Sequence, residues 1–228
     1  MTPLVLLPGM MCDARLFAPQ TAALSGTRAV QHAPLSGHDR VESLAADVLA
    51  NAPPLFALAG LSMGGIVAME IVRQAPDRVA RLALLDTNPL AEAAEVKARR
   101  VPQIEAARSG GLAQVMRQEM KPRYLAAPDE DLLDLCLEMA LSLGPEVFER
   151  QSRALADRPD QCATLRAYDG PTLLLCGRHD ALCPVERHEL MNDLMPRARL
   201  VIVEDAGHLP VLERPDAVNA ALKRWLEE

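Results

Sequence analysis

Aromatic side chains are scarce in this chain: three Phe, two Tyr and one Trp among 228 residues. A binding slot built from stacked rings is therefore not expected. Basic residues are outnumbered, 24 Lys and Arg against 31 Asp and Glu, for a formal charge of −7. That balance leaves no basic face for general nucleic-acid binding. No stretch approaches the roughly 18 uninterrupted apolar residues of a membrane span. The five cysteines are odd in number and include no C-x-x-C pair, which excludes a disulfide framework or a zinc site of the usual spacing. Cys136, Cys162 and Cys176 lie in apolar surroundings, whereas Cys12 follows the first strand in a loop. The apolar start, Met1 to Met11, has no basic residues before it and is cut by Pro8-Gly9, unlike a secretory signal. A cytoplasmic protein with no nucleic-acid or membrane partner is expected. Half of the residues are hydrophobic, enough for a sizeable core.

Short apolar runs alternate with helical patterns. Thr2 to Leu7 reads as a strand buried on both faces, followed by a helix over Ala14 to Leu24 with Asp13 as its N-cap. A strand near Arg28 to His32, a helix over Val41 to Ala50, and strands at Leu55 to Ala59 and Arg81 to Leu85 follow. This spacing predicts βαβ units and a parallel sheet. From Asn88 to Tyr168 strand signals vanish, and Gly110-Gly111, Lys121-Pro122, Pro128 and Gly144-Pro145 punctuate several helices. Within them Leu132, Cys136, Met139, Ala140 and Leu143 share one helix face, and Pro102 either kinks or splits the first helix. Strands resume at Pro171 to Cys176 and Arg199 to Val203, with helices over Glu186 to Met195 and Pro215 to Glu228.

One stretch carries more than architecture. Leu55 to Ala75 reads strand, then Gly60-Leu61-Ser62-Met63-Gly64, then helix, the arrangement of a nucleophile elbow. Its serine is held on a sharp, strained turn beside a helix N-terminus, where negative charge is favoured. Flanking glycines are needed because a Cβ at either place would strike the neighbouring backbone. A serine hydroxyl needs a base, and histidine is the usual one, oriented by a carboxylate on its far nitrogen. Catalytic groups in such sheets gather at the carboxyl ends of the strands. There the chain places Ser62, Asp180 in Gly177-Arg178-His179-Asp180, and His208 in Asp205-Ala206-Gly207-His208. Ser, Asp, His is also the chain order this arrangement requires.

On the segments GLSMGG, GRHDALCP and DAGHLPVLERP, the chain resembles the α/β-hydrolase superfamily, and within it capped serine esterases such as the pimeloyl-carrier methyl esterases. The resemblance spans nearly the whole chain. It implies an α/β-hydrolase fold of about six mostly parallel strands flanked by helices, with the helical cap inserted before the acid strand. The core would comprise 1–87 and 169–228 and the cap 88–168. It further implies Ser62 as nucleophile, Asp180 as acid and His208 as base, with the backbone N–H groups of Met10 and Met63 as the oxyanion hole. Two departures stand out: Pro8-Gly9 replaces the His-Gly of many members, and the chain begins at the family's third strand. Some relatives draw the acid from the strand ending at Asp86, which makes that residue the competitor of Asp180.

The other candidates read as structural. His179 points away from its neighbour Asp180 along extended backbone, His188 falls on an expected surface helix, and His32 ends a strand. His38 and Asp205 read as loop residues, and Ser36, Ser43 and Ser142 lack an elbow.

The pocket walls are expected from Met10, Met11 and Met63 together with the cap, notably Leu112, Met116, Met120 and Met139, although core filling explains these methionines equally well. The implied activity is hydrolysis of carboxylic esters on a small acyl ester substrate, without cofactor or metal. Acyl transfer, thioester, lactone or C–C hydrolysis would use the same residues, and the fold also serves non-catalytic ligand binders. The cap also carries Arg99, Arg100, Arg108, Arg117, Lys121 and Arg123; related methyl esterases hold an acyl carrier protein with cap arginines, though a solvated charged face is the simpler reading.

Overall fold

The computed structural model describes residues 1–227, the side chain of Lys121 apart; Glu228, expected to end the last helix, lies outside them. Six strands form one sheet: β1 (Leu4–Leu7), β2 (Val30–His32), β3 (Phe56–Leu61), β4 (Val79–Leu85), β5 (Thr172–Gly177) and β6 (Arg199–Val203). Their order is β2-β1-β3-β4-β5-β6, and every neighbouring pair is parallel. The inner strands β1, β3 and β5 are buried at every position, which is why they read as unbroken apolar runs. The edge strands β2 and β6 are mostly half-buried.

Eleven α-helices are present among the described residues. Before β4 come α1 (Ala18–Leu24), α2 (Val41–Asn51) and α3 (Met63–Gln74). Between β4 and β5 lie α4 (Ala94–Ala106), α5 (Leu112–Val115), α6 (Glu130–Leu143), α7 (Pro145–Ala156) and α8 (Cys162–Ala167). The remainder are α9 (Val185–Leu194), α10 (Pro210–Glu213) and α11 (Pro215–Glu227). Helices α2, α3, α8 and α9 pack as one layer, and α1, α10 and α11 as another. This follows from right-handed crossovers, because the sheet grows one way from β1 to β2 and the other way from β3 to β6. Helix α3 is buried from Met63 to Val72, as a helix apolar all round must be.

The helix expected from Ala14 begins as a 3₁₀ turn, Ala14–Phe17, capped by Asp13, and becomes α-helical only at Ala18 with Pro19 in its first turn. Pro102 lies inside an unbroken α4. The next helical break falls instead at Ser109 and Gly110, where Gly110 takes φ +90°. No helix of the described residues is long and apolar enough to cross a membrane.

Candidate active site

The carboxyl ends of three adjacent strands carry backbone in the left-handed half of φ space on residues other than glycine. They are Met11 (φ 55°) after β1, Ser62 (φ 53°) after β3 and Asp86 (φ 44°) after β4. Each costs roughly 1–3 kcal/mol and persists only where surrounding contacts fix it. At Ser62 those contacts are explicit. Its N–H donates to Leu85 O at 2.9 Å, and its carbonyl accepts from Gly65 N at 3.0 Å and from Thr87 Oγ1 at 2.7 Å. A Cβ on Gly60 would overlap the carbonyl of Gly64, and one on Gly64 would overlap the carbonyl of Leu7. On Gly65 it would lie 2.6 Å from Thr87 Oγ1, displacing the hydroxyl that braces the elbow.

Asp180 and His208, both 4% exposed, meet at the ends of β5 and β6. His208 Nδ1 lies 2.8 Å from Asp180 Oδ2, and Asp180 Oδ1 accepts from the backbone of Leu182 (2.8 Å) and Cys183 (2.9 Å). Burial alone would raise the Asp180 pKa; the charge and hydrogen bond of His208 and the two backbone donors outweigh it and hold the carboxyl below its ordinary value. The His208 backbone N–H donates to Tyr124 O at 2.7 Å, so the inserted segment grips the histidine loop. Ser62, His208, Gly9, Met10 and Met63 line one cavity of about 640 Å³, roofed by residues of the insertion that include Met120, Tyr124 and Leu155. The N–H groups of Met10 and Met63 have no acceptor among the described residues.

Asp86 is fully buried, and its Oδ1 accepts from Gly177 N at 2.9 Å. Burial and then the neighbouring charge of Asp180 push its pKa well up, which disfavours the ionised form. A neutral acid cannot stabilise an imidazolium as an ionised one does, and the histidine's hydrogen bond goes to Asp180. Cys183 also lines the cavity, with its sulfur, an Asp180 oxygen and a His208 nitrogen all within 4.8 Å of one another. Burial and the charge of Asp180 raise its pKa, as burial does for Cys12, so both remain thiols.

Several expectations need correction. Among the methionines, Met10, Met63 and Met120 line the cavity, but Met11, Met116 and Met139 do not. Met11 is turned under the loop, its N–H donating to Gln151 Oε1 at 2.8 Å, and Met139 is fully buried with its sulfur 3.5 Å from Asp13 N. Met116 and Leu112 pack into the core. His188 lies on the surface helix α9 but on its inner face, fully buried, with Nε2 accepting from Thr87 N at 3.3 Å. Burial lowers its pKa to about 4. His179, His38 and Asp205 are exposed.

Sequence reasoning missed Gln151, a buried α7 side chain that holds Met11 and donates to Leu35 O at 2.9 Å. It also missed Thr87, Glu92 and Arg158, and it read Arg100 as a cap arginine on a solvated face, whereas the Arg100 side chain, 12% exposed, lies in the cavity wall against Glu92. No local pattern marks Gln151, Thr87 or Arg158, because each acts across a contact distant in sequence.

The parallel sheet, the left-handed serine between β3 and α3 and the Asp–His pair define a hydrolase architecture. Residues 4–221 match the family model described as the Alpha/beta hydrolase family, and the chain belongs to that family. Among curated proteins it is 26% identical over 236 residues to the pimeloyl-[acyl-carrier protein] methyl ester esterase of Neisseria meningitidis serogroup C, covering 97% of this chain and 92% of the relative. Among solved structures it is similar to a thermophilic esterase from Thermogutta terrifontis, described as malate bound, with TM-score 0.91 and 30% identity over 100% of this chain and 90% of that one. The enol-lactonase of Burkholderia xenovorans LB400 matches with TM-score 0.89 and 25% identity, over 100% and 92% of the two chains.

Proposed function

We propose that the chain is a serine hydrolase of carboxylic esters, with Ser62 as nucleophile, His208 as general base and Asp180 as the acid that orients it. Ser62 Oγ attacks the acyl carbonyl while His208 Nε2 takes its proton, and the imidazolium is stabilised by Asp180 through Nδ1. The carbonyl oxygen, now negative, accepts from the N–H groups of Met10 and Met63, which stand ready without other acceptors. His208 then protonates the departing alcohol. Water, deprotonated by the same imidazole, releases the acid from Ser62. The helical segment over 88–168 acts as the cap, shielding the reaction from bulk water.

One observation carries the reading: a serine strained at φ 53° and ψ −114° opens onto the same cavity as a histidine already bonded to a buried carboxylate. A non-catalytic binder gains nothing from that strain. Esterase activity in the relatives agrees with it, and the carrier-linked methyl ester of the Neisseria enzyme belongs in the substrate screen. Labelling by a fluorophosphonate probe, together with turnover of p-nitrophenyl esters, tests the proposal. Both should vanish in Ser62→Ala; labelling that survives the substitution would move the nucleophile elsewhere.

A further inference from the structure

The protein carries a formal charge of −7, yet five arginines line the cavity (Arg99, Arg100, Arg123, Arg158 and Arg187) against three glutamates. Two of these arginines are not a solvated face. The side chains of Arg100 and Arg158 are only 12% and 9% exposed, and both pair with Glu92, itself 4% exposed. Arg158 Nη1 lies 2.6 Å from Glu92 Oε1, Arg158 Nε donates to Leu90 O at 3.0 Å, and Arg100 Nε bonds Glu92 Oε2. One carboxylate thus faces two guanidinium groups, leaving a positive charge with no second carboxylate paired to it among the described residues, in a largely desolvated wall. Such an imbalance is costly unless another anion completes it. Donors remain for that anion. Arg100 Nη1 meets only the sulfur of Met10, at 3.9 Å, and neither Arg100 Nη2 nor Arg158 Nη2 has an acceptor among the described residues. Met10 also supplies one of the two N–H groups assigned to the oxyanion, so its side chain joins the arginine pair to the loop that presents that donor, within the same cavity.

The geometry points to a carboxylate-binding subsite at Arg100 and Arg158, and hence to esters carrying a free carboxylate, such as monoesters of linear dicarboxylic acids. This rests on the serine-hydrolase reading for its chemistry but not for its binding. Planar, forked guanidinium donors suit a carboxylate, and charge-assisted bonds in a site this buried favour the anion over a neutral analogue by about ten- to a hundredfold.

The test compares monomethyl esters of C4 to C8 linear dicarboxylic acids with the corresponding dimethyl esters. Affinity is measured by calorimetry on Ser62→Ala and turnover on the unmodified enzyme. At the best chain length the monoester should bind at least about tenfold tighter, and Arg100→Gln should abolish the preference. Glu92→Gln, which frees further guanidinium donors, should keep or strengthen it, with thermal melts confirming that each variant folds. Equal or tighter binding of the diester at every length overturns the subsite, and so does a preference that survives Arg100→Gln; in that event the cluster only ties the insertion together. Selective binding of monoesters to Ser62→Ala without turnover by the unmodified enzyme would keep the subsite and remove the hydrolase reading. Ser62-dependent turnover without anion preference would do the reverse.

Discussion

The sheet edge beneath the cavity holds Met11, Ser62 and Asp86 at positive φ, while Arg100 and Gln151 above it sit in regular helices. Below, close glycine contacts and Thr87 fix the strained backbone that presents Ser62 to the cavity. Above, ordinary backbone carries long polar side chains that reach down by hydrogen bond and charge. A small change in the lower layer should therefore act on the chemical step, whereas changes in the upper layer should act on positioning and on choice of substrate.

The largest effect expected is from Ser62→Ala, which should lower kcat for p-nitrophenyl esters by roughly 10⁴-fold or more while leaving the melting temperature nearly unchanged. Next come the two buried aspartates of the lower layer. Asp180→Asn should lower kcat by about 10⁴-fold, because the amide no longer fixes the tautomer or stabilises the imidazolium. Asp86→Asn should cost less than about tenfold, since the amide still accepts from Gly177 N and the histidine's hydrogen bond goes to Asp180. The opposite ranking, read from kcat, would transfer the acid role to Asp86.

Gln151 tests whether the upper layer reaches the lower one. Gln151→Leu removes the acceptor for Met11 N–H and leaves that donor unpaired beside the loop that presents Met10. About a tenfold fall in kcat is expected, with KM for small neutral esters nearly unchanged. Gln151→Glu, which preserves the acceptor but loses the donor to Leu35 O, should recover only part of it. A loss confined to thermal stability would show that Gln151 only holds the cap in place.

The lower layer was the more legible of the two in the sequence, for physical reasons. Strands buried on both faces must be continuously apolar, so the runs over 4–7 and 56–59 announced themselves; β3 continues through Gly60-Leu61, which read as the start of the turn, and the glycines around Ser62 are forced by backbone contacts at Gly64 and Leu7. Asp180 and His208 could be placed because strand ends in a parallel sheet converge. Left-handed backbone at Met11 and Asp86 could not be read, since neither residue type favours it. Nor could Gln151, Arg100 or Arg158, whose roles arise only when the insertion folds over the sheet. The methionines expected to line the pocket divided for the same reason: helical spacing shows which residues share a face, not which neighbour that face meets.

His188 gives the smallest effect at neutral pH and separates folding from catalysis. It was expected on a surface because α9 reads as mostly polar, yet with Met191 it turns inward and accepts from Thr87 N. Its pKa is lowered to about 4 when folded, whereas an unfolded histidine titrates near 6.5. Between those values the unfolded chain binds a proton that the folded chain does not, so stability falls as pH drops through this window. The full span corresponds to about 3 kcal/mol. Asp86 works in the opposite direction, because its folded form keeps a proton that the unfolded chain releases above its ordinary carboxylate range. Comparing urea denaturation of the unmodified protein and His188→Gln from pH 7 to pH 4 isolates the histidine contribution. The variant should lose less stability on acidification, with little difference in esterase kcat at pH 7. Parallel pH dependences in the two proteins would mean that His188 is protonated, or exposed, in the folded state, and that the link from Thr87 to the serine turn is not held by a neutral imidazole.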